Sequence, residues 1–253
     1  MSRLEGSTLK PGSFLISDQS GPLTVALLAG CEATARRLLG AARDAGADLA
    51  TISVEMIEPA LDQVGAMWAR GEISIAEEHL ATGLLARALA YACGSEPPKA
   101  PGAPRIVLSC PAGEFHELGL KIASEVARES GWDVEVLGAN VPRSALARFV
   151  AQRRPQALGI SVALAGHLPE CAATVQECRT AAPDTTVLVG GRAFRFDPDL
   201  APLVRADVVL TGVLDLRDWL RKNAGSLSAD PSPSAPKVLP PPPARPVRFP
   251  GNR

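Results

Sequence analysis

Two histidines, each close behind a glutamate, are the groups of this chain best placed for metal or ligand chemistry. The stretch "GEFHELG" (113–119) sets Glu114 two residues before His116 and Gly119 three residues after it. An imidazole can ligate a metal through one ring nitrogen, and a carboxylate at the other nitrogen fixes its tautomer and basicity. Forty-one residues separate Gly119 from Ser161 in "GISVAL", and twenty-six separate Ala163 from Gly190-Gly191 in "VLVGGRAF". Upstream, in "WARGEISIAEEH", nine residues lie between Trp68 and the Glu78-His79 pair. Taken singly, these residues have plainer uses. His116 suits a surface turn, Trp68 a helix-end core, Glu78 a helix's first turn and His79 a helix face shared with Ile75 and Gly83. The third histidine, His167 in "ALAGHLPE", reads as a surface residue at the start of a helix.

The elements that must position these groups follow from hydrophobic periodicity. Apolar strands are expected at about 105–110, 133–138, 157–163, 185–190 and 207–211. Helical segments follow them at 116–130, 142–153, 168–182, 192–204 and 213–223. Nearly continuous apolar strands alternating with helices specify a parallel sheet covered on both faces. This predicts a Rossmann-like, doubly wound five-stranded α/β domain over 104–224. His116, Ser161 and Gly190-Gly191 then fall at C-terminal strand ends, where open parallel sheets bind ligands.

Ahead of it, 21–95 reads as helix almost throughout. "PLTVALLAG" gives one short helix, and "CEATARRLLGAARDAG" a second that ends at Gly46. "ATISVEMIEPALDQVGAMWARG" gives a third, with a local distortion expected at Pro59. "SIAEEHLATGLLARALAYACG" gives a fourth, opened by a Ser74/Glu77 capping box. Short connections predict a compact four-helix bundle. Residues 1–20 form a lead, 96–103 a linker, and 225–253 a Pro-rich tail expected to be solvated.

The formal charge of −1 over 253 residues gives no strong attraction to nucleic acid or anionic membrane. No apolar run reaches membrane-spanning length, and the first residues lack the plan of a signal peptide. Five cysteines without a CxxC suggest reduced thiols in a cytoplasmic protein. No Ser-His-Asp set, phosphate-binding loop or zinc spacing is present, so the chain is expected not to be an enzyme.

The spacing Glu114-x-His116-x-x-Gly119, Ser161, Gly190-Gly191 resembles the cobalamin-binding signature Asp-x-His-x-x-Gly…Ser-x-Leu…Gly-Gly. Two positions depart from it. Glu114 stands for Asp, and Ala163 for Leu, which slightly widens the slot. Trp68-x9-Glu78-His79 is similar to the helical cap of the CarH-type cobalamin-dependent photoreceptors, and the resemblance spans about 20–224. It implies that His116 is the lower axial cobalt ligand and that Glu114 holds its other nitrogen. Ser161 would bond the displaced base of the cofactor's tail, and Gly119, Gly190 and Gly191 would line the slot. Trp68, Glu78 and His79 would cap the adenosyl group of adenosylcobalamin.

DNA-binding members carry an N-terminal winged helix-turn-helix domain, for which the twenty residues before the bundle are too few. No direct operator binding is therefore expected. Those members also have a histidine directly after the Trp; here that position is Ala69, so after photolysis water is the expected main upper ligand, with His79, the one imidazole nearby, a minority ligand at best. These departures point towards a subgroup that pairs cobalamin with a bilin such as biliverdin, although no bilin motif is recognisable. The expected function is a light-sensing regulatory module, a homo-oligomer with a dimer as the first expectation, signalling to a downstream protein partner. The alternative is a corrinoid methyl carrier of a methyltransferase system, which shares the signature.

Overall fold

The computed structural model describes Ile16, residues 19–94 and residues 100–225. Most of the lead, the first half of the linker and the Pro-rich tail beyond Gly225 lie outside the described residues.

Four helical runs build the N-terminal region. α1 (Ser20–Leu28) and α2 (Glu32–Asp44) come first, and α2 buries Ala35, Leu38, Leu39 and Ala42 along one face. Asp48 then caps α3 (Leu49–Ile52) by accepting the Thr51 N–H. The chain passes through a π-helical turn (Ser53–Ile57) into α4 (Glu58–Ala69). That turn lies just upstream of Pro59, where a distortion is expected. Proline offers no N–H to the Glu55 carbonyl and its ring crowds that group; the turn widens, with the Glu58 N–H bonding Ser53 O. α5 (Ile75–Cys93) opens with the expected capping box. Ser74 Oγ accepts the Glu77 N–H, and the Glu77 carboxylate accepts the Ser74 N–H at 2.7 Å.

The second region alternates strand and helix: β1 (Arg105–Pro111), α6 (Leu118–Glu129), β2 (Asp133–Val141), α7 (Arg143–Arg153), β3 (Ala157–Ser161) and α8 (Leu168–Ala181). β4 (Thr186–Gly190), α9 (Arg192–Phe196), α10 (Ala201–Val204), β5 (Val208–Val209) and α11 (Val213–Asn223) complete it. The strands are all parallel, in the order β2-β1-β3-β4-β5. From β1 the chain winds one way to β2 and the other way to β3. The crevice between the C-terminal ends of β1 and β3 is therefore the switch point at which such sheets take ligands.

The main differences from the sequence expectation lie in three elements. β2 continues past 138 to Val141 through register shifts opposite Ser109 and Pro111, with left-handed residues at Gly138 and Asn140. The helix expected over 192–204 is broken at Asp197, which caps a short 3-10 turn, Pro198–Leu200. The strand expected over 207–211 pairs only at Val208 and Val209.

Sheet and bundle share one core. Ile106, Leu108 and Cys110 of β1 face the same cluster as Leu49, Ile52, Met56 and Ile57 of the bundle and Leu216 of α11. Val107, Leu158 and Ile160 face a second cluster under α7 and α8. Fully burying one such aliphatic side chain is worth about 1.5–3 kcal/mol, so the shared cluster holds α3 firmly on α6 and α11. Polar ties reinforce it: Arg43 pairs with Glu129 at 2.5 Å, the Leu49 N–H donates to Glu129 at 3.1 Å, and Arg221 reaches Asp48 at 2.9 Å. No helix among the described residues is long and apolar enough to cross a membrane.

Candidate functional site

Glu114 sits in the turn that leaves β1, and its side chain is wholly buried. One carboxylate oxygen accepts the His116 backbone N–H at 3.0 Å and lies 2.6 Å from His116 Nδ1. The other accepts the backbone N–H groups of Ala163 at 2.9 Å and Leu164 at 3.3 Å, just beyond β3. One carboxylate thus joins the β1 turn to the β3 loop. Burial alone would raise the Glu114 pKa; the hydrogen bonds from His116, Ala163 and Leu164 outweigh it and hold the carboxyl below its ordinary value. With Nδ1 engaged, His116 presents Nε2 outward, and its side chain is 61% exposed.

His116 lines a cavity of about 680 Å³ between the sheet's C-terminal edge and the bundle. Gly119, Ser161, Gly190 and Gly191 line it from the sheet, and Glu78 and His79 from α5. Gly119 and Ser161 face each other: a Cβ on Gly119 would lie 3.9 Å from Ser161 Oγ. Gly191 meets a constraint inside the protein. Its φ is +115°, and a Cβ there would sit 2.4 Å from Val162 O, so no side chain is tolerated.

On the bundle wall, Glu78, His79, Thr82, Gly83 and Ala86 form one face of α5, and Leu61 and Gly65 one face of α4. Glu78 Oε2 lies 2.6 Å from His79 Nδ1, and Glu78 Oε1 accepts Thr82 Oγ at 3.0 Å. The imidazole of His79 is 73% exposed, so it is no core histidine. Trp68 continues the Leu61–Gly65 stripe one turn further, at the end of α4. There it is 49% exposed and outside the cavity lining. His167 ends a 3-10 turn (Ala165–His167) and lies against Gly113, whose Cβ would meet His167 Nδ1 at 3.4 Å. Cys110, behind the site, has its thiol pushed up to about 12 by burial and by Glu114 and Glu117, which keeps it protonated.

The sequence reading missed several residues. Arg195 of α9 lines the cavity and crosses to α4, bonding Glu58 at 2.5 Å and both oxygens of Asp62 at 2.8 Å. Gly159 was also missed, although a glycine in the middle of an apolar strand is itself a signal. A Cβ there would lie 2.5 Å from Leu108 Cδ2. The backbone amides of Ala163 and Leu164 carry no sequence signal at all.

These features fit a metal that brings most of its own ligands. One imidazole nitrogen, oriented by a buried carboxylate, faces a cavity large enough for a broad ligand. Comparison with known proteins agrees. The B12 binding domain family matches residues 104–213, and a second B12 binding domain family matches residues 22–92. The chain is 34% identical over 123 residues to the HTH-type transcriptional repressor CarA of Myxococcus xanthus, covering 49% of this chain and 42% of that protein. It is 34% identical over 143 residues to the HTH-type transcriptional repressor CarH of the same organism, covering 56% and 47%. The chain thus spans less than half the length of these relatives. Among solved structures, the monomethylamine corrinoid protein of Methanosarcina barkeri shares the fold, with TM-score 0.67 and 14% identity over 79% of this chain and 96% of that one. One B12-binding match on the bundle, another on the sheet domain and the sequence likeness to CarA and CarH together support a CarH-like cobalamin-binding module.

Proposed function

We propose that the chain is an adenosylcobalamin-dependent, light-responsive regulatory module. The observation that carries this reading is the pairing of two walls around one cavity. His116, oriented by Glu114, lies on the sheet side, and Glu78-His79 lies on a bundle wall whose Trp68-x9-Glu78-His79 spacing resembles the cap of the CarH-type photoreceptors. When bound, the cofactor would supply a cobalt–carbon bond that visible light breaks. His116 would hold its lower face. Ser161, Gly119, Gly190 and Gly191 would line the slot for the displaced tail base, and Glu78, His79 and the nearby Trp68 would cap the upper group. Glu78, His79 and Trp68 would lose their contacts if that group left, which would free the α4–α5 wall to shift against the sheet. The Arg195 bonds to Glu58 and Asp62 are the ties that such a shift must strain. The output goes to a protein partner or to the module's own oligomer, without chemistry on a substrate. The reading needs cobalamin alone; a bilin would be an addition to it.

Trp68 favours a second reading, that of a methyl carrier, because its place outside the cavity lining leaves the upper space open. One experiment separates the two. The full chain is loaded with adenosylcobalamin or methylcobalamin in darkness, and affinity, absorption and sedimentation are followed before and after green light. The light-responsive reading expects preference for the adenosyl form and a light-driven change in spectrum and sedimentation. Equal affinity for both forms, with sedimentation indifferent to light, would support the carrier.

A further inference from the structure

We propose that Asn140 is a positioning residue for the His116 imidazole, an inference that rests on reading His116 as the lower cobalt ligand. Asn140 stands near the end of β2, beyond the point where hydrophobicity predicts the strand to stop, and has φ +54°. A positive φ is uncommon outside glycine, and Asn is among the few side chains that tolerate it. The conformation aims both of its polar groups at the neighbouring turn. The backbone N–H of Asn140 donates to Glu114 O at 2.9 Å, and its Oδ1 accepts the Gly113 N–H at 2.9 Å. One residue of β2 therefore grips both ends of the Gly113–Glu114 dipeptide.

The grip completes the fixing of Glu114. Its N–H bonds Pro111 O at 3.1 Å at the end of β1, and its carboxylate is held by the Ala163 and Leu164 amides beyond β3. Without Asn140, the turn is tied on the β1 and β3 sides only and can pivot about them. The other carboxylate oxygen of Glu114 sets the ring of His116, so a pivot redirects Nε2. Register shifts and left-handed residues of this kind at a strand end serve to re-aim a neighbouring group. Asn140 is itself exposed and contributes nothing to the core, so the fold does not demand it.

Substitutions separate its two contacts. Asn140→Gly keeps the left-handed backbone and the N–H bond but removes the side-chain acceptor. Asn140→Asp keeps an acceptor of the same length. The full chain, in wild-type, Asn140→Gly, Asn140→Asp and His116→Ala forms, is studied in two ways. Amide exchange at Gly113 is measured without cofactor, and affinity and lower-ligand spectrum are measured with cobalamin added. In Asn140→Gly we expect Gly113 exchange to rise at least about tenfold, with affinity and the His-ligated fraction falling about tenfold, the usual scale for losing an orienting contact. Asn140→Asp should restore both. Wild-type exchange and ligation in Asn140→Gly, alongside lost ligation in His116→Ala, would overturn the role of Asn140 alone. Unchanged ligation in His116→Ala would overturn the ligand assignment, and this inference with it.

Discussion

Glu114–His116 and Glu78–His79 make the same contact, Nδ1 to carboxylate at 2.6 Å, in opposite surroundings. Glu114 is wholly buried, bonded by two backbone amides from another strand end and set in a turn tied to β1 and β2. Half-buried Glu78 and exposed His79 are neighbours on one helical turn, and among the described residues only Thr82 adds a side-chain bond to the pair. An exposed pair of this kind contributes about 0–1 kcal/mol, whereas hydrogen bonds to a buried charge contribute about 1.5–3 kcal/mol each. The first pair is therefore pre-organised to hold a ligand in one direction. The second can change rotamer without disturbing the fold. The proposed function, in which the metal is kept while an upper group is released, would need this asymmetry.

Glu114→Gln tests the rigid side and should have the largest effect. It keeps the volume but turns an amide towards donors that need acceptors. We expect cobalamin affinity to fall about 10–100-fold and stability by about 1–3 kcal/mol, read by titration and by denaturant unfolding. Arg195→Ala tests whether the movable wall is the bundle side. Amide exchange in α4 (Glu58–Ala69) should rise about tenfold while exchange at the ends of β1 and β3 stays as in wild type. His79→Ala should have the smallest effect, changing affinity by less than about threefold, because an exposed imidazole contributes little fixed contact. Its light-state spectrum should match that of the wild type, whereas Ala69→His should alter and prolong the light state. A light-state spectrum lost in His79→Ala would make the flexible pair the photochemical switch and reverse this ordering.

What could be read from the sequence follows from which forces leave a trace in residue type. β1, β3 and β4 are apolar on both faces, so "RIVLSC", "ALGIS" and "TVLVG" announce buried parallel strands. The end of β2, "GAN", is held by a left-handed backbone and a side-chain acceptor, and hydrophobicity is blind to both. Pro59 announced a distortion in the third helical run, and the missing N–H placed it at Ser53–Ile57. Within the site, Glu114, His116, Ser161 and the glycines were found by spacing and line or support one cavity. The amides of Ala163 and Leu164 were invisible, since every residue has one. Arg195 was missed because an arginine in a five-residue helix has many ordinary uses, and only the approach of α4 gives this one its partners.

The central claim is that His116 supplies the lower nitrogen to cobalt. It is tested most directly by electron paramagnetic resonance of the protein carrying cobalt(II) cobalamin, prepared with ordinary and with 15N-labelled histidine. An axial 14N splits each cobalt line into three, and an axial 15N splits it into two. The account predicts that labelling converts triplets into doublets in the wild type, and that His116→Ala is insensitive to the label. Triplets that persist in the labelled wild type would place the cofactor's own base on the cobalt and contradict the account.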